Sequence, residues 1–345
     1  MSGPGTMKAV VLVGGFGTRL RPLTETVKKE LLPLVDRPIL DHVLDHLARH
    51  GVHEVILSSP YLEAAFHPFI EARQGDPAIT WITEAAPLGT GGAIVNALGA
   101  VGDDPFFALN GDILTDLDLT QMLSSHREHD AVVTISLHHV EDARAFGLVA
   151  TDERGRVAEF LEKPLDAIPG DVNAGTYILD PAVLRPWSAD RELSIEREIF
   201  PSVIASGGPV FGYLADAYWL DLGTPEKYLQ AHFDLLDGKV HGVTYEAPWV
   251  APTASVDPAA RLGRWVAIGA EARVGPDAQV DDSVVHPGAS VDAGAHVLRT
   301  IVGPGAHVGA RSGVEDCVIG AGARIPDAVS LSGQRVPTDS EAAPA

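Results

Sequence analysis

From Val250 onward aliphatic residues return at a fixed spacing: Val250, Val256, Leu262, Ile268, Val274 and Val280 recur every six residues. The interval then becomes 17, with Val280, Val297 and Val314 in one series, Val285, Val302 and Ile319 in a second, and Val291, Val308 and Ile325 in a third. Seventeen is two sixes and a five, so each coil has three short faces and one shortened corner. One inward aliphatic per face, with Gly, Ala, Pro and Asp at the corners, fits a parallel β-helix of triangular section. Roughly four to five such coils fit between Pro248 and Ser330, enough for a self-supporting solenoid in which each coil buries its apolar row against its neighbours.

The preceding part has a different grammar. Apolar residues at Ile39, Leu40, Val43, Leu44 and Leu47 predict a helix over Pro38 to His50, stopped by Gly51. Strands are predicted at Val52 to Ser58, Ala78 to Thr83, Pro105 to Leu109 and Ala131 to Leu137, with helices at Gly92 to Val101 and Leu119 to His129. This alternation implies an α/β domain with a mostly parallel sheet, helices on both faces, and ligands at the carboxyl ends of the strands. Phe146 to Leu161 reads as a hairpin, and Asn173 to Leu179 and Val210 to Leu220 as further strands. Thr224-Pro225-Glu226 opens a capped helix running to Gly238. The expected organisation is a disordered leader at 1–7, an α/β domain at 8–240, the β-helix at 248–330 and a disordered tail at 331–345.

A net charge of −22 argues against nucleic acid or an anionic membrane surface as partner. No apolar run approaches 18 residues and no signal-peptide pattern opens the chain. The single cysteine, Cys317, excludes an intrachain disulfide and a cysteine-rich metal site, which suits a reducing cytoplasm. Against this acidic background Arg19, Arg21, Lys28 and Lys29 crowd into eleven positions, marking a site for an anion.

That cluster follows a glycine loop. Val10 to Val13 reads as a buried parallel strand, and Gly14, Gly15 and Gly17 come next, where the main chain can approach a phosphate and aim N–H groups at it. The dinucleotide fingerprint is excluded by Leu20 in the third glycine position, and the P-loop by Gly238-Lys239-Val240, which lacks the Ser or Thr. The loop is read as a nucleoside triphosphate site. At other predicted strand ends stand Asn110-Gly111-Asp112 and Asp221. Two aspartates beside phosphates suit Mg²⁺, although either acid also reads as a turn former or a helix N-terminal acid. Lys163 suits a second phosphate, Asn173-Ala174-Gly175 suits sugar hydroxyls, and Glu84 offers a carboxylate to the paired N–H donors of guanine. Ser194 to Glu198 reads as a capped helix start with one acid facing the cleft. His138 and His139 read as structural, and neither zinc-protease spacing nor a nucleophile elbow occurs.

Taken together, Gly14 to Thr24, the Lys29 segment, Gly89-Thr90-Gly91-Gly92, Asn110-Gly111-Asp112, Glu162-Lys163-Pro164, Asn173-Ala174-Gly175 and Asp221-Leu222-Gly223-Thr224 stand in the order found in sugar-1-phosphate nucleotidylyltransferases. The chain resembles that family over residues 8 to about 330, and most resembles its mannose-1-phosphate guanylyltransferase branch, through Glu84 with Pro87 to Thr90 and the run from Ser194 to Pro201. The resemblance implies a Rossmann-like nucleotide-diphospho-sugar transferase domain followed by a left-handed parallel β-helix. It implies nucleotide binding by Leu12, Gly14, Gly15, Gly17, Thr18, Arg19, Glu84, Pro87, Gly89 and Thr90. Asn110, Gly147, Glu162, Lys163, Asn173 and Gly175 would hold the sugar phosphate, and Asp112 and Asp221 the Mg²⁺. Arg19 and Lys29 would be catalytic in transfer of a nucleoside monophosphate, from GTP first of all, to mannose 1-phosphate, with dTTP, UTP or ATP and glucose 1-phosphate as the alternative pair. One departure is Lys28-Lys29-Glu30 where the family has Pro-Lys-Pro or Pro-Lys-Glu, so Lys28 competes with Lys29 for the role. Other classes are a non-catalytic regulatory subunit and a hexapeptide-repeat acyltransferase; against the latter, His286, His296 and His307 lie in an unbroken repeat. A homo-oligomer formed through the β-helix is expected.

Overall fold

In the computed structural model, residues 7–60, 63–73 and 75–342 are described. Apart from Met7, the expected leader lies outside them, as do the last three residues of the expected tail. The chain divides into two compact units, Met1–Gly15 with Asp41–Trp219, and Phe16–Leu40 with Leu220–Ala345. This division differs from a simple cut near 240: the segment after the first strand counts with the C-terminal part.

The first unit is built on a nine-stranded sheet. Its strands are β1 (Lys8–Leu12), β2 (Glu54–Ser59), β3 (Ala78–Thr83), β4 (Phe106–Asn110), β5 (Val133–Val140), β6 (Gly147–Thr151), β7 (Val157–Glu162), β8 (Gly170–Leu179) and β9 (Val210–Leu214). The order β7-β6-β8-β4-β1-β2-β3 continues through β5 on β8 and β9 on β5. β4, β1, β2 and β3 run parallel, as β-branched runs between helices require, and β8 enters antiparallel between β4 and β5. β6 and β7 form the expected hairpin. The predicted strand Val210 to Leu220 is two pieces, β9 and Trp219–Asp221, since Asp216 and its neighbours leave the sheet.

The helices include α1 (Ile39–Arg49), α2 (Gly89–Val101), α3 (Leu119–Glu128), α4 (Phe200–Ala205) and α5 (Pro225–Leu236), and a short one spans His67–Ala72. α2 starts at Gly89, three residues before the predicted start. Gly91 N and Gly92 N donate to Leu193 O at 2.8 and 3.1 Å, and a Cβ on Gly91 would lie 2.9 Å from Ile195 N. Close packing on the 191–195 segment overrides the poor helix propensity of the glycines.

In the second unit, pairs of residues stack in three parallel ladders, the β-helix that the repeat predicts. Ile268, Val285, Val302, Ile319 and Val336 form one inward column, each residue paired with the next, and all are buried. The ladders run through Ser330–Ser332 to Arg335–Val336, beyond the expected limit at 330, because Leu331 and Val336 also point inward and are buried. The expected disorder of the tail is therefore corrected for these residues. On the same face the outward column Ala267, Val284, Ile301 and Val318 is apolar and at most 8% exposed. Residues of the same unit cover part of this face: Tyr228 on α5 bonds His286 at 3.0 Å, and Pro33, Val35 and Asp36 share a cavity of about 430 Å³ with Ala267, Val284 and His286. His286 is thus an internal partner of Tyr228 rather than an acyltransfer base.

Burial pulls three histidines well below 6.5: His46 to about 3, helped by His50; His126 to about 4; and His286 to about 3, helped by His232. Each binds its proton more weakly folded than unfolded, so its contribution to stability is complete above pH 6.5 and is lost as pH falls toward the folded value. We expect a thermal midpoint that is flat from about pH 8 to 7 and drops by about 5 °C or more by about pH 4.5. A midpoint unchanged across that range would contradict neutral burial of these imidazoles.

Candidate active site

In the first unit the carboxyl ends of β1, β2 and β4 are level, with Leu12 opposite Ser58 and Asn110. Val13 N donates to Ser58 O at 3.2 Å and Gly111 N to Leu12 O at 3.0 Å, so the chain leaves β1 and β4 side by side. Gly14 rests on Pro60, where a Cβ would lie 2.8 Å from Cδ, while around Gly15 nothing lies within 4 Å. Leu12, Gly14, Gly15, Asn110 and Asp112 therefore gather at the end of the sheet where the parallel topology places a ligand.

A polar wall continues from there. Gly175 has φ of +74°, and a Cβ would come 2.7 Å from Asn110 Nδ2, so glycine is required. Asn173 Oδ1 accepts from Gly175 N at 2.9 Å, and its Nδ2 donates to the Tyr177 hydroxyl at 2.8 Å. Burial pushes the Tyr177 phenol well above its ordinary pKa, and the nearby Glu196 and Glu162 carboxylates add to the shift. Glu196 accepts from Thr90 Oγ1 and Ser194 Oγ, both at 2.7 Å, and Thr90 Oγ1 accepts from Ile195 N at 3.1 Å. Glu162 pairs across the hairpin with Gly147, where a Cβ would lie 2.9 Å from Glu162 Oε2. Lys163 follows with φ of +53° and an exposed ammonium 3.6 Å from Glu162 Oε1. Asn110, Gly147, Glu162, Lys163, Asn173, Gly175 and Thr90 are thus brought into one neighbourhood. Tyr177 and Glu196 were not singled out from sequence: Tyr177 hides among the apolar residues of β8, and Glu196 shows only as the unassigned acid of a capped helix.

Glu84 is held within the fold. It is 4% exposed; Oε1 accepts from Ser58 Oγ at 3.1 Å and Oε2 from Leu88 N at 3.0 Å. Burial raises its pKa, against those two hydrogen bonds. Both oxygens are engaged in shaping the 84–88 turn that leads through exposed Pro87 to Gly89 at φ of +69°. Each oxygen thus accepts one hydrogen bond from within the fold.

The second unit carries the cationic part. Gly17 is left-handed at φ of 59°; a Cβ there would lie 2.9 Å from Thr24 Cγ2 and 3.4 Å from Lys29 Cβ. Thr24 Oγ1 donates to Gly17 O at 2.7 Å, closing the loop on itself. Lys29 is thereby packed beneath the loop and is 5% exposed, while Lys28 is half-buried on extended backbone. Thr18 and Arg19 are exposed on a short 3-10 turn, Thr18–Leu20. The Arg19 guanidinium lies against Gly223, where any Cβ would clash with Nη2, and the same Cβ would stand 3.0 Å from Asp221 Oδ1. Arg19 and Asp221 thus flank one glycine, and Lys227 Nζ is 3.9 Å from Asp221 Oδ2. Among the described residues no group of three or more His, Cys, Asp or Glu side chains forms a metal cage; Asp112 stands in the first unit and Asp221 in the second.

Open glycine N–H groups, a buried lysine, an arginine and hard carboxylate oxygens are the apparatus of phosphoryl chemistry, in which positioning and charge neutralisation dominate. The nucleotidyl transferase family model matches residues 8–238, and the chain belongs to that family. Residues 245–341 match the GMPPB C-terminal domain. The chain is 41% identical over 301 residues to mannose-1-phosphate guanylyltransferase of Mycobacterium tuberculosis, covering 84% of this chain and 83% of that one. It is 35% identical over 306 residues to probable mannose-1-phosphate guanylyltransferase 2 of Arabidopsis thaliana, covering 85% and 83%. Among solved structures, HddC from Yersinia pseudotuberculosis complexed with GMP-PN superposes with a TM-score of 0.58 at 30% identity, over 65% of this chain and 97% of that one. No helix among the described residues is long and apolar enough to cross a membrane.

Proposed function

We propose that this protein is a mannose-1-phosphate guanylyltransferase, joining GTP and mannose 1-phosphate to give GDP-mannose and pyrophosphate. The observation that carries the reading is the similarity, over more than four-fifths of each chain, to proteins of that name. A phosphate oxygen of the sugar phosphate, ionised near neutral pH, attacks the α-phosphorus of the triphosphate. The new P–O bond forms as the bond to the bridging oxygen breaks, and pyrophosphate leaves with that electron pair. The Gly14 to Gly17 N–H groups and Arg19 hold the triphosphate and the leaving pyrophosphate, Lys29 the α-phosphate, and Lys163 the sugar phosphate. Glu162, Gly147, Asn110, Asn173 and Gly175 orient the sugar. Asp112 and Asp221, with their hard carboxylate oxygens, would hold Mg²⁺, which would supply neutralisation of phosphate charge. We place the enzyme in the cytoplasm on its single cysteine, and expect self-association through the β-helix.

The test is pyrophosphate release from GTP, dTTP, UTP and ATP against mannose-, glucose- and galactose-1-phosphate, with and without Mg²⁺. Preference for GTP with mannose 1-phosphate is expected. Preference for another pair moves the assignment within the family, and no turnover with any pair would favour a non-catalytic subunit. Because Glu84 is engaged within the fold, Glu84→Ala should lower stability by about 1–3 kcal/mol, by leaving the Leu88 N–H and Ser58 hydroxyl unpaired, while preference among triphosphates is retained. A changed base preference at unaltered stability would restore Glu84 to the base site.

A further inference from the structure

On the covered face of the β-helix the outward column reads Ala267, Val284, Ile301, Val318 and then, in the last coil, Arg335. The change from buried aliphatics to a guanidinium falls where this face meets the loop that carries Arg19. Arg335 Nη1 donates to Arg19 O at 3.0 Å and to Arg21 O at 3.1 Å, one bond for each of its hydrogens. Three residues on, Thr338 N donates to Glu25 Oε2 at 3.3 Å, so the last coil grips the segment twice. The Thr18–Leu20 turn is closed by Leu20 N on Gly17 O and Arg21 N on Thr18 O, and neither bond uses the carbonyls that Arg335 takes. A cation at the carbonyl end of such a turn satisfies acceptors the turn itself leaves over.

We propose that Arg335 is a positioning residue for nucleotidyl transfer: from the last coil of the β-helix it holds the main chain on both sides of Leu20, so that the Arg19 guanidinium keeps its place against Gly223. The proposal rests on the nucleotidyl-transfer reading above. It gives the solenoid a direct part in shaping the triphosphate loop.

The experiment compares Arg335→Ala, Arg335→Lys and, as control on another outward face, Arg324→Ala, all in the full-length protein. Arg335→Ala is expected to lower kcat with GTP and mannose 1-phosphate by about tenfold, as the Arg19 guanidinium loses its fixed place, with KM for the sugar phosphate unchanged and the protein still folded well above the assay temperature. Millimolar guanidinium should restore part of the rate, Arg335→Lys should be intermediate because an ammonium cannot reproduce the planar fork, and Arg324→Ala should match wild type. Hydrogen exchange gives a readout that needs no substrate: amides of residues 16–25 should exchange faster in Arg335→Ala than in wild type. Unchanged kcat, or a rate loss that follows a lowered thermal midpoint and ignores guanidinium, overturns the proposal, as does unchanged exchange. If wild type proves inactive with every substrate pair, the functional reading fails by itself, and exchange still decides whether Arg335 orders the loop.

Discussion

Lys29→Ala should lower turnover by about 10²–10³, the order seen when one preorganised group that stabilises developing charge is removed, while Lys28→Ala should stay within about tenfold. The contrast rests on packing. Lys29 lies under the loop with its Cβ beside Gly17, so its ammonium is carried on a buried stem; Lys28 is half-buried on extended backbone. A buried, fixed charge acts without reorganisation at the moment of reaction, whereas a more exposed one is screened by water. Steady-state kinetics on both variants decide the matter. A larger loss in Lys28→Ala would move the role by one position and would mean that the segment rearranges when substrate binds.

Arg19→Ala should be of similar size, about 10²–10³ in kcat/KM, with most of the effect on the triphosphate. Arg19→Lys should recover little, since an ammonium offers a point charge where the guanidinium presents a planar fork to phosphate oxygens. A complementary variant, Gly223→Ala, adds a methyl where Arg19 Nη2 lies and should displace the guanidinium without removing it. If Arg19→Ala is severe and Gly223→Ala is mild, the conformation of Arg19 described here is not the productive one.

The architecture was legible wherever one period dominates. The six- and seventeen-residue spacings gave every inward column of the β-helix, because a stacked coil has no other way to bury one aliphatic per face. Its end was read too early, since Leu331 and Val336 sit in a stretch whose composition resembles a tail but whose register is still that of a coil. The start of α2 was missed for the opposite reason: glycines that discourage a helix locally are what tertiary packing on Leu193 demands. At the site, strand-end motifs exposed the charged residues, yet the function of Glu84 depended on Ser58 and Leu88, 26 and 4 residues away, and no local pattern encodes that. Tyr177 was invisible for a related reason, since its polar end meets Asn173 only through the strand geometry of β8.

The three outward columns of the β-helix also bear on self-association. The apolar column Ala267 to Val318 is already buried within a single chain, so it has no surface left to offer a second copy. The remaining two present Ser255, Arg273, Ser290, His307 and Arg324, and Arg261, Gln279, His296, Gly313 and Ser330, which are polar or charged apart from one glycine. Any assembly through these faces is then held by polar and ionic contacts, with little gain from apolar burial, and its dissociation constant should rise steeply with ionic strength.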